Sequence, residues 1–183
     1  QYCKGLKLRL TSIEMGRIDE AQCIAVDHPE RLYITKDFTV THNTATGLMT
    51  AAHWRVRTAL IMSAGYINNW LKSIEWVLDV KKSDVVVVKG RKQLVTLVEL
   101  ALANQLEYKI IFLSINTLRD FLTDHLKEGY TINGVTPRML FSTLGIGFRI
   151  IDESHENVHA VVRNTIHTHV NRTLYLSATI VSD

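Results

Sequence analysis

An α/β domain built on a parallel sheet, preceded by a small all-β segment, is the organisation this 183-residue sequence predicts. Three observations predict it. After residue 44, short continuous apolar runs alternate with amphipathic stretches, the pattern of strands buried on both faces and joined by crossover helices. Residues 1–43 instead carry short alternating runs with turn-forming breaks and no helical repeat. The change from one pattern to the other falls at the Asn43–Thr44 bond.

In chain order, Leu6 to Leu10, Cys23 to Val26, Leu32 to Ile34 and Phe38 to Val40 read as strands, interrupted at Asp27-His28-Pro29 and Lys36-Asp37. Thr44 to His53 is small and helix-permissive, and Val56 to Met62 is an apolar strand. Ile67, Trp70, Leu71, Ile74, Val77 and Leu78 recur at helical spacing. Val85 to Val88 is a strand, Leu94, Leu97, Val98 and Ala101 mark a helix face, and Ile110 to Leu113 is the next strand. Leu118, Phe121 and Leu122 indicate another helix, followed by a Gly- and Pro-containing stretch from Gly129 to Gly147. Phe148 to Ile151 and Leu174 to Leu176 are strands, with a helix between them marked by Val158, Val161 and Val162.

The 46% hydrophobic and 21% charged content is that of a folded globular chain, and no apolar run reaches membrane-spanning length. A net charge of +3 permits a nucleic-acid partner without demanding one. Cys3 and Cys23 do not make a disulfide framework at this size, so a reducing cytoplasm is the expected setting, a host's if the protein is viral. Gln1 in place of Met, and Asp183 just past an apolar run, lead us to expect a fragment.

Two places carry chemistry. At Val40-Thr41-His42-Asn43-Thr44, the Asn43 side-chain amide can attack its own main-chain carbonyl and cut the bond to Thr44. His42 can protonate the departing amine, and Thr44 offers a hydroxyl nucleophile. A His-Asn-Thr triplet alone is commonly a surface turn. The second place is the end of the strand Phe148 to Ile151, where Asp152-Glu153-Ser154-His155 sets two carboxylates at a strand tip, able to hold magnesium and polarise a water. Leu174 to Leu176 ends similarly in Ser177-Ala178-Thr179.

Residues 44–183 resemble the first RecA-like domain of superfamily 2 helicases and translocases. Asp152-Glu153-Ser154-His155 is similar to their DExH motif II, and Ser177-Ala178-Thr179 to motif III. Ser63-Ala64-Gly65-Tyr66-Ile67-Asn68-Asn69-Trp70 resembles motif Ia. The resemblance implies a parallel RecA-like sheet flanked by helices, with ATP and magnesium as cofactors. Asp152 would coordinate magnesium through water, Glu153 would orient the hydrolytic water, and His155 would link motif II to motif III. Thr44, Asp152, Ser177 and Thr179 would line the nucleotide side, Thr44 as a second magnesium ligand. Ser63, Ala64, Gly65 and Asn69 would touch a nucleic-acid backbone, DNA rather than RNA. A second RecA-like domain, outside this chain, would supply the arginine finger. The family's Gly-x-Gly-Lys-Thr phosphate loop is missing except for its last residue: Thr44 is in place, but Asn43 stands where the lysine belongs.

Residues 1–43 supply a reason for the gap. Cys23-Ile24-Ala25-Val26, Leu32-Tyr33-Ile34 and Val40-Thr41-His42-Asn43 resemble the C-terminal splicing blocks of inteins, a Hint-type fold, which often interrupt phosphate loops. The resemblance implies that Asn43 cyclises, His42 assists and Thr44 accepts the acyl chain as the first residue of the downstream extein. Cys23, with Thr41 before the His-Asn pair, is similar to the subgroup in which this cysteine is the first nucleophile; a small buried residue is the alternative. Arg31 stands near where many inteins place an assisting histidine, which departs from the pattern. The upstream intein half and N-terminal extein would be partners of this chain. A second reading keeps residues 44–183 as a P-loop nucleotide-binding module without helicase activity, and residues 1–43 as a β-appendage that is never removed.

Among the remaining candidates, Trp54, Trp70 and Trp76 could stack on bases, but Trp70 and Trp76 sit on or beside an apolar helical stripe and are expected to pack in the core. Cys3 is expected to be inert and His28 a turn residue. His159, His167 and His169 lack cysteine neighbours and do not read as a zinc site. Lys89, Arg91 and Lys92 read as a solvated loop that could reach phosphates.

Overall fold

The computed structural model describes residues 33–34, 40–41, 43–154 and 158–177, with side chains over 44–154 and 159–177. Tyr33–Ile34 (β1) and Val40–Thr41 (β2) pair antiparallel, Tyr33 opposite Thr41, as a ribbon separate from the main sheet. The expected strands at Leu6 to Leu10 and Cys23 to Val26 lie outside the described residues.

From Asn43 onward the chain alternates helix and strand. The elements are α1 (Asn43–Trp54), β3 (Thr58–Met62), α2 (Ile67–Val77), β4 (Val85–Val88), α3 (Arg91–Leu102) and β5 (Ile110–Ser114). They continue with α4 (Ile115–Glu128), α5 (Pro137–Thr143), β6 (Phe148–Ile151), α6 (Val158–His167) and β7 (Thr173–Tyr175). The five strands form one parallel sheet in the order β4-β5-β3-β6-β7. Every residue of β3, β5 and β6 is buried, as strands covered on both faces must be, while β4 and β7 at the edges are less so.

Successive side chains of a strand point to opposite faces, and the core divides accordingly. Ala59 and Ile61 join Leu94, Leu97, Leu118, Phe121, Phe141 and Val161 under α3, α4, α5 and α6. Leu60 and Met62 join Leu48, Ala51, Ile67, Trp70 and Ile74 under α1 and α2. Each fully buried Leu or Ile stabilises by roughly 1.5–3 kcal/mol relative to exposure.

The direction of travel and the covered face are linked. From β3 the chain moves out to β4 through α2 on one face; the moves back, to β5, β6 and β7, run through α3, α4–α5 and α6 on the other. This is the pattern that crossovers of a single hand produce. At the amino end of the strands Arg57 ties three segments together, donating to the carbonyls of Tyr108 (2.7 Å), Leu144 (2.8 Å) and Leu106 (2.7 Å). Gly145, at φ +66°, leaves room for that guanidinium, since a Cβ there would stand 2.7 Å from Arg57 Nη1.

Three expectations are corrected. The Gly129–Gly147 stretch contains α5, which Pro137 opens from the position where its missing N–H costs nothing. The strand expected from Val56 starts at Thr58, and Val56 is partly exposed. Trp76 is 64% exposed, on the outside of α2, whereas Trp70 packs in the core as expected.

Candidate active site

In a parallel sheet the carboxyl ends of all strands lie on one edge, and helix N-termini gather there. The candidate site is that edge at β3, β6 and β7. The Asp152 N–H continues the ladder past β6 by donating to the Ile61 carbonyl at 3.0 Å. Glu153 then adopts φ +47°, a left-handed conformation that costs a non-glycine residue of the order of 1 kcal/mol. The turn this makes lets the Ser154 N–H donate to the Leu176 carbonyl (3.0 Å), while the Leu176 N–H donates to Ile151 (2.8 Å). The tips of β6 and β7 are thereby lashed together, with Ser177 directly after Leu176.

Asp152 is only 8% exposed, and its Oδ2 accepts the indole N–H of Trp70 at 2.6 Å. Trp70 comes from α2, on the Ile67-Trp70-Ile74 seam that buries this helix. α1 packs against the same ring one turn from its start. A Cβ on Gly47 would stand 3.0 Å from Leu176 Cδ1, 3.3 Å from Trp70 Cη2 and 3.5 Å from Ile150 Cδ1. Only glycine lets α1 sit this close. Thr44, partly buried, is in the first turn of α1, the positive end of the helix dipole, which no acidic side chain in that turn offsets.

The structure thus brings Thr44, Asp152, Glu153 and Ser177 to one edge of the sheet. Ser63, Ala64 and Gly65 form the turn after β3 on that edge, where Ala64 and Gly65 are exposed and the Ser63 carbonyl accepts the Tyr66 N–H. Asn69 follows, exposed, in the first turn of α2. Thr41 ends the β1–β2 ribbon and Asn43 begins α1. Cys23, His42, His155 and Thr179 lie outside the described residues. Among the described residues no cluster of three or more His, Cys, Asp and Glu is arranged to hold a metal ion.

No protein-family model and no curated protein matches the chain. A helicase domain is similar to it. That domain belongs to Hef of Pyrococcus furiosus, at 15% identity and a TM-score of 0.46, with 76% of this chain and 28% of that chain covered. The chain therefore spans little more than a quarter of the length of that structure.

Arg91 is less available than a free loop would make it: it pairs with Asp124 and lies over the Tyr130 ring, 4.9 Å from its centroid. Lys89 is exposed, its backbone N–H donating to the Gln93 side chain. Trp54 is stacked by Arg172, 4.2 Å from the ring centroid. Sequence reasoning missed Trp70 and Gly47 as members of the site. The single donor of a tryptophan within a buried helix seam was a signal that it needed an acceptor, but nothing local named Asp152. No helix of the described residues is long and apolar enough to cross a membrane.

Proposed function

We propose that residues 44–183 are part of the ATP-hydrolysing, RecA-like domain of a superfamily 2 helicase or translocase, and that residues 1–43 are an intein segment removed at the Asn43–Thr44 bond. The observation that carries the first half is the buried Asp152 beside Glu153 at the tip of β6, held by Trp70, with α1 packed on that same ring through Gly47, three residues after Thr44. The donors there are carboxylate and hydroxyl oxygens, the set that suits magnesium. Thr44 and Asp152 would hold the ion, which when bound supplies charge neutralisation at the phosphate oxygens. Glu153 would orient the attacking water and receive its proton, and Ser177 would face the same phosphates.

The missing phosphate loop has a place to go. A helix on the α2 face belongs to a crossover running toward β4. By the same hand, a parallel strand leading into α1 would come from the β7 side of β3, where β6 and β7 already hold the inner positions. The outer edge of β7, which among the described residues pairs only with β6, would take it. Such a strand would deliver a Gly-rich loop and lysine directly before Thr44, once residues 1–43 are gone. In the chain as given, α1 is instead preceded by the separate β1–β2 ribbon.

For the excision, the Asn43 Nδ2 would attack the Asn43 carbonyl carbon, forming a succinimide. The bond to the Thr44 nitrogen breaks, and the amine leaves with a proton relayed by His42. Thr44 would by then have accepted the upstream acyl chain on its hydroxyl, which passes to the freed amine. The same threonine would then serve the ATPase.

The test is reconstitution with the upstream intein half and extein. Mass spectrometry should find a joined product in which Thr44 follows the upstream sequence, and Asn43→Ala should block it. The joined product should bind ATP at least a hundredfold more tightly than the unjoined chain and hydrolyse it faster with DNA present. Equal ATP affinity before and after joining would overturn the loop argument. Tight ATP binding without stimulation by nucleic acid would mark a nucleotide-binding module.

A further inference from the structure

The contact between Trp70 and Asp152 takes no part in the reaction outlined above. An indole has one donor and no acceptor. A buried tryptophan can satisfy that donor with a backbone carbonyl; here it meets a carboxylate, whose desolvation is costly and whose replacement by apolar packing would be the more stable choice. The arrangement favours the carboxylate's orientation over the stability of the core. A carboxylate turns easily about its terminal torsion. A short bond from a rigid ring, itself 2% exposed, removes that freedom by engaging Oδ2 and so fixes the plane of the carboxylate.

The same ring touches α1 at its far end. Cη2 lies 3.3 Å from the position of a Cβ on Gly47, three residues after Thr44, and Leu176 and Ile150 close the seat. One side chain therefore spans the gap between the helix turn that carries Thr44 and the carboxylate at the tip of β6. We propose that Trp70 is a positioning residue: it fixes the orientation of the Asp152 carboxylate, and it keeps that carboxylate in register with Thr44 because α1 is seated on its ring. This rests on the reading of Asp152 as the cation-side carboxylate.

The geometry also makes Trp70 a reporter. In the full chain carrying Trp54→Phe and Trp76→Phe, both at exposed positions, Trp70 is the sole tryptophan. Manganese, a paramagnetic probe for the magnesium position, is titrated while electron paramagnetic resonance counts free metal and Trp70 emission is followed. Binding should quench Trp70, and Asp152→Asn should remove both signals. Trp70 is then exchanged for benzothienylalanine, which keeps the ring shape but lacks the N–H. Manganese affinity should fall about tenfold, the scale of losing a group that orients a ligand, with the melting temperature held. Trp70→Phe should act in the same direction.

Manganese bound with unchanged affinity in the benzothienylalanine protein would overturn the positioning role and leave the nucleotide site standing. So would manganese that binds through Asp152 without altering Trp70 emission, a result that needs no substitution at Trp70. No manganese at Asp152 in the parent would instead overturn the site itself, and the positioning role with it.

Discussion

Replacing Gly47 by alanine is expected to destabilise the chain by about 1 kcal/mol, the reverse of what helix propensity alone predicts. Gly47 lies inside α1, where Gly→Ala ordinarily gains about 1 kcal/mol. Against that gain stand three contacts: the new Cβ would be 3.0 Å from Leu176 Cδ1, 3.3 Å from Trp70 Cη2 and 3.5 Å from Ile150 Cδ1. Carbon atoms prefer roughly 3.5–4.0 Å. Leu176 can swing its terminal methyl aside, but Trp70 is locked by the core on its faces and by Asp152 at Nε1. Overpacking of this kind costs about 1–3 kcal/mol, so the sum falls near 1 kcal/mol of lost stability. Gly47→Val adds two methyls to the same seat and should cost about 3 kcal/mol. Urea unfolding followed by both circular dichroism and tryptophan emission gives the numbers. A Gly47→Ala protein that is more stable by the full propensity gain would refute the reasoning, because α1 would then not rest on Trp70 and Leu176.

Two further outcomes follow from contacts elsewhere. Arg149, 2% exposed, donates to the hydroxyls of Thr168 (2.7 Å) and Thr173 (3.1 and 3.2 Å) and lies over Phe141, and burial holds its pKa below the usual arginine value. Arg149→Met should lose about 1 kcal/mol in thermal unfolding and Arg149→Ala about 3, since the long stem rather than the charge fills the site; equal losses would contradict this. Asp84 has its pKa lowered from 3.8, first by the hydrogen bond from Lys109 (3.0 Å) and then by the Lys81 N–H (3.2 Å). A depressed carboxylate pKa stabilises above the unfolded value, and that part is lost as pH falls from about 3.8 through the folded pKa. Asp84→Asn should therefore lower stability slightly at neutral pH, leave it unchanged below the folded pKa and so flatten the acid limb, a difference read from urea midpoints across pH.

The sheet was legible because its central strands are buried on both faces and read as unbroken apolar runs, Ile110 to Leu113 above all. The Ile67-Trp70-Ile74 seam was legible for the matching reason in a helix. Trp76 was misplaced because membership in a helical stripe depends on angle: six residues beyond Trp70 is about 240° around the axis, which turns it outward. α5 was missed because seven residues opened by a proline give too little periodicity to outweigh glycines on either side. In the site, the carboxylates at the tip of β6 announced themselves by following an apolar run. The Trp70–Asp152 bond joins positions 82 apart in sequence, and the left-handed turn at Glu153 is imposed by the tie to Leu176; neither leaves a local mark.

The order of the strands also has a consequence for synthesis. β3 lies at the centre of the sheet, yet its two neighbours, β5 and β6, are read from the message about 50 and 90 residues later. β4 likewise has no partner until β5 exists. At roughly 5–20 residues per second, Thr58–Met62 spends several seconds outside the ribosome before any strand can pair with it. Its Ala-Leu-Ile-Met core is the kind of segment that associates between chains when left exposed. α1, already made, packs on the Leu60 and Met62 face and is the first cover available to the nascent strand. The helix that seats the candidate site thus also shields the growing chain from its neighbours on the polysome.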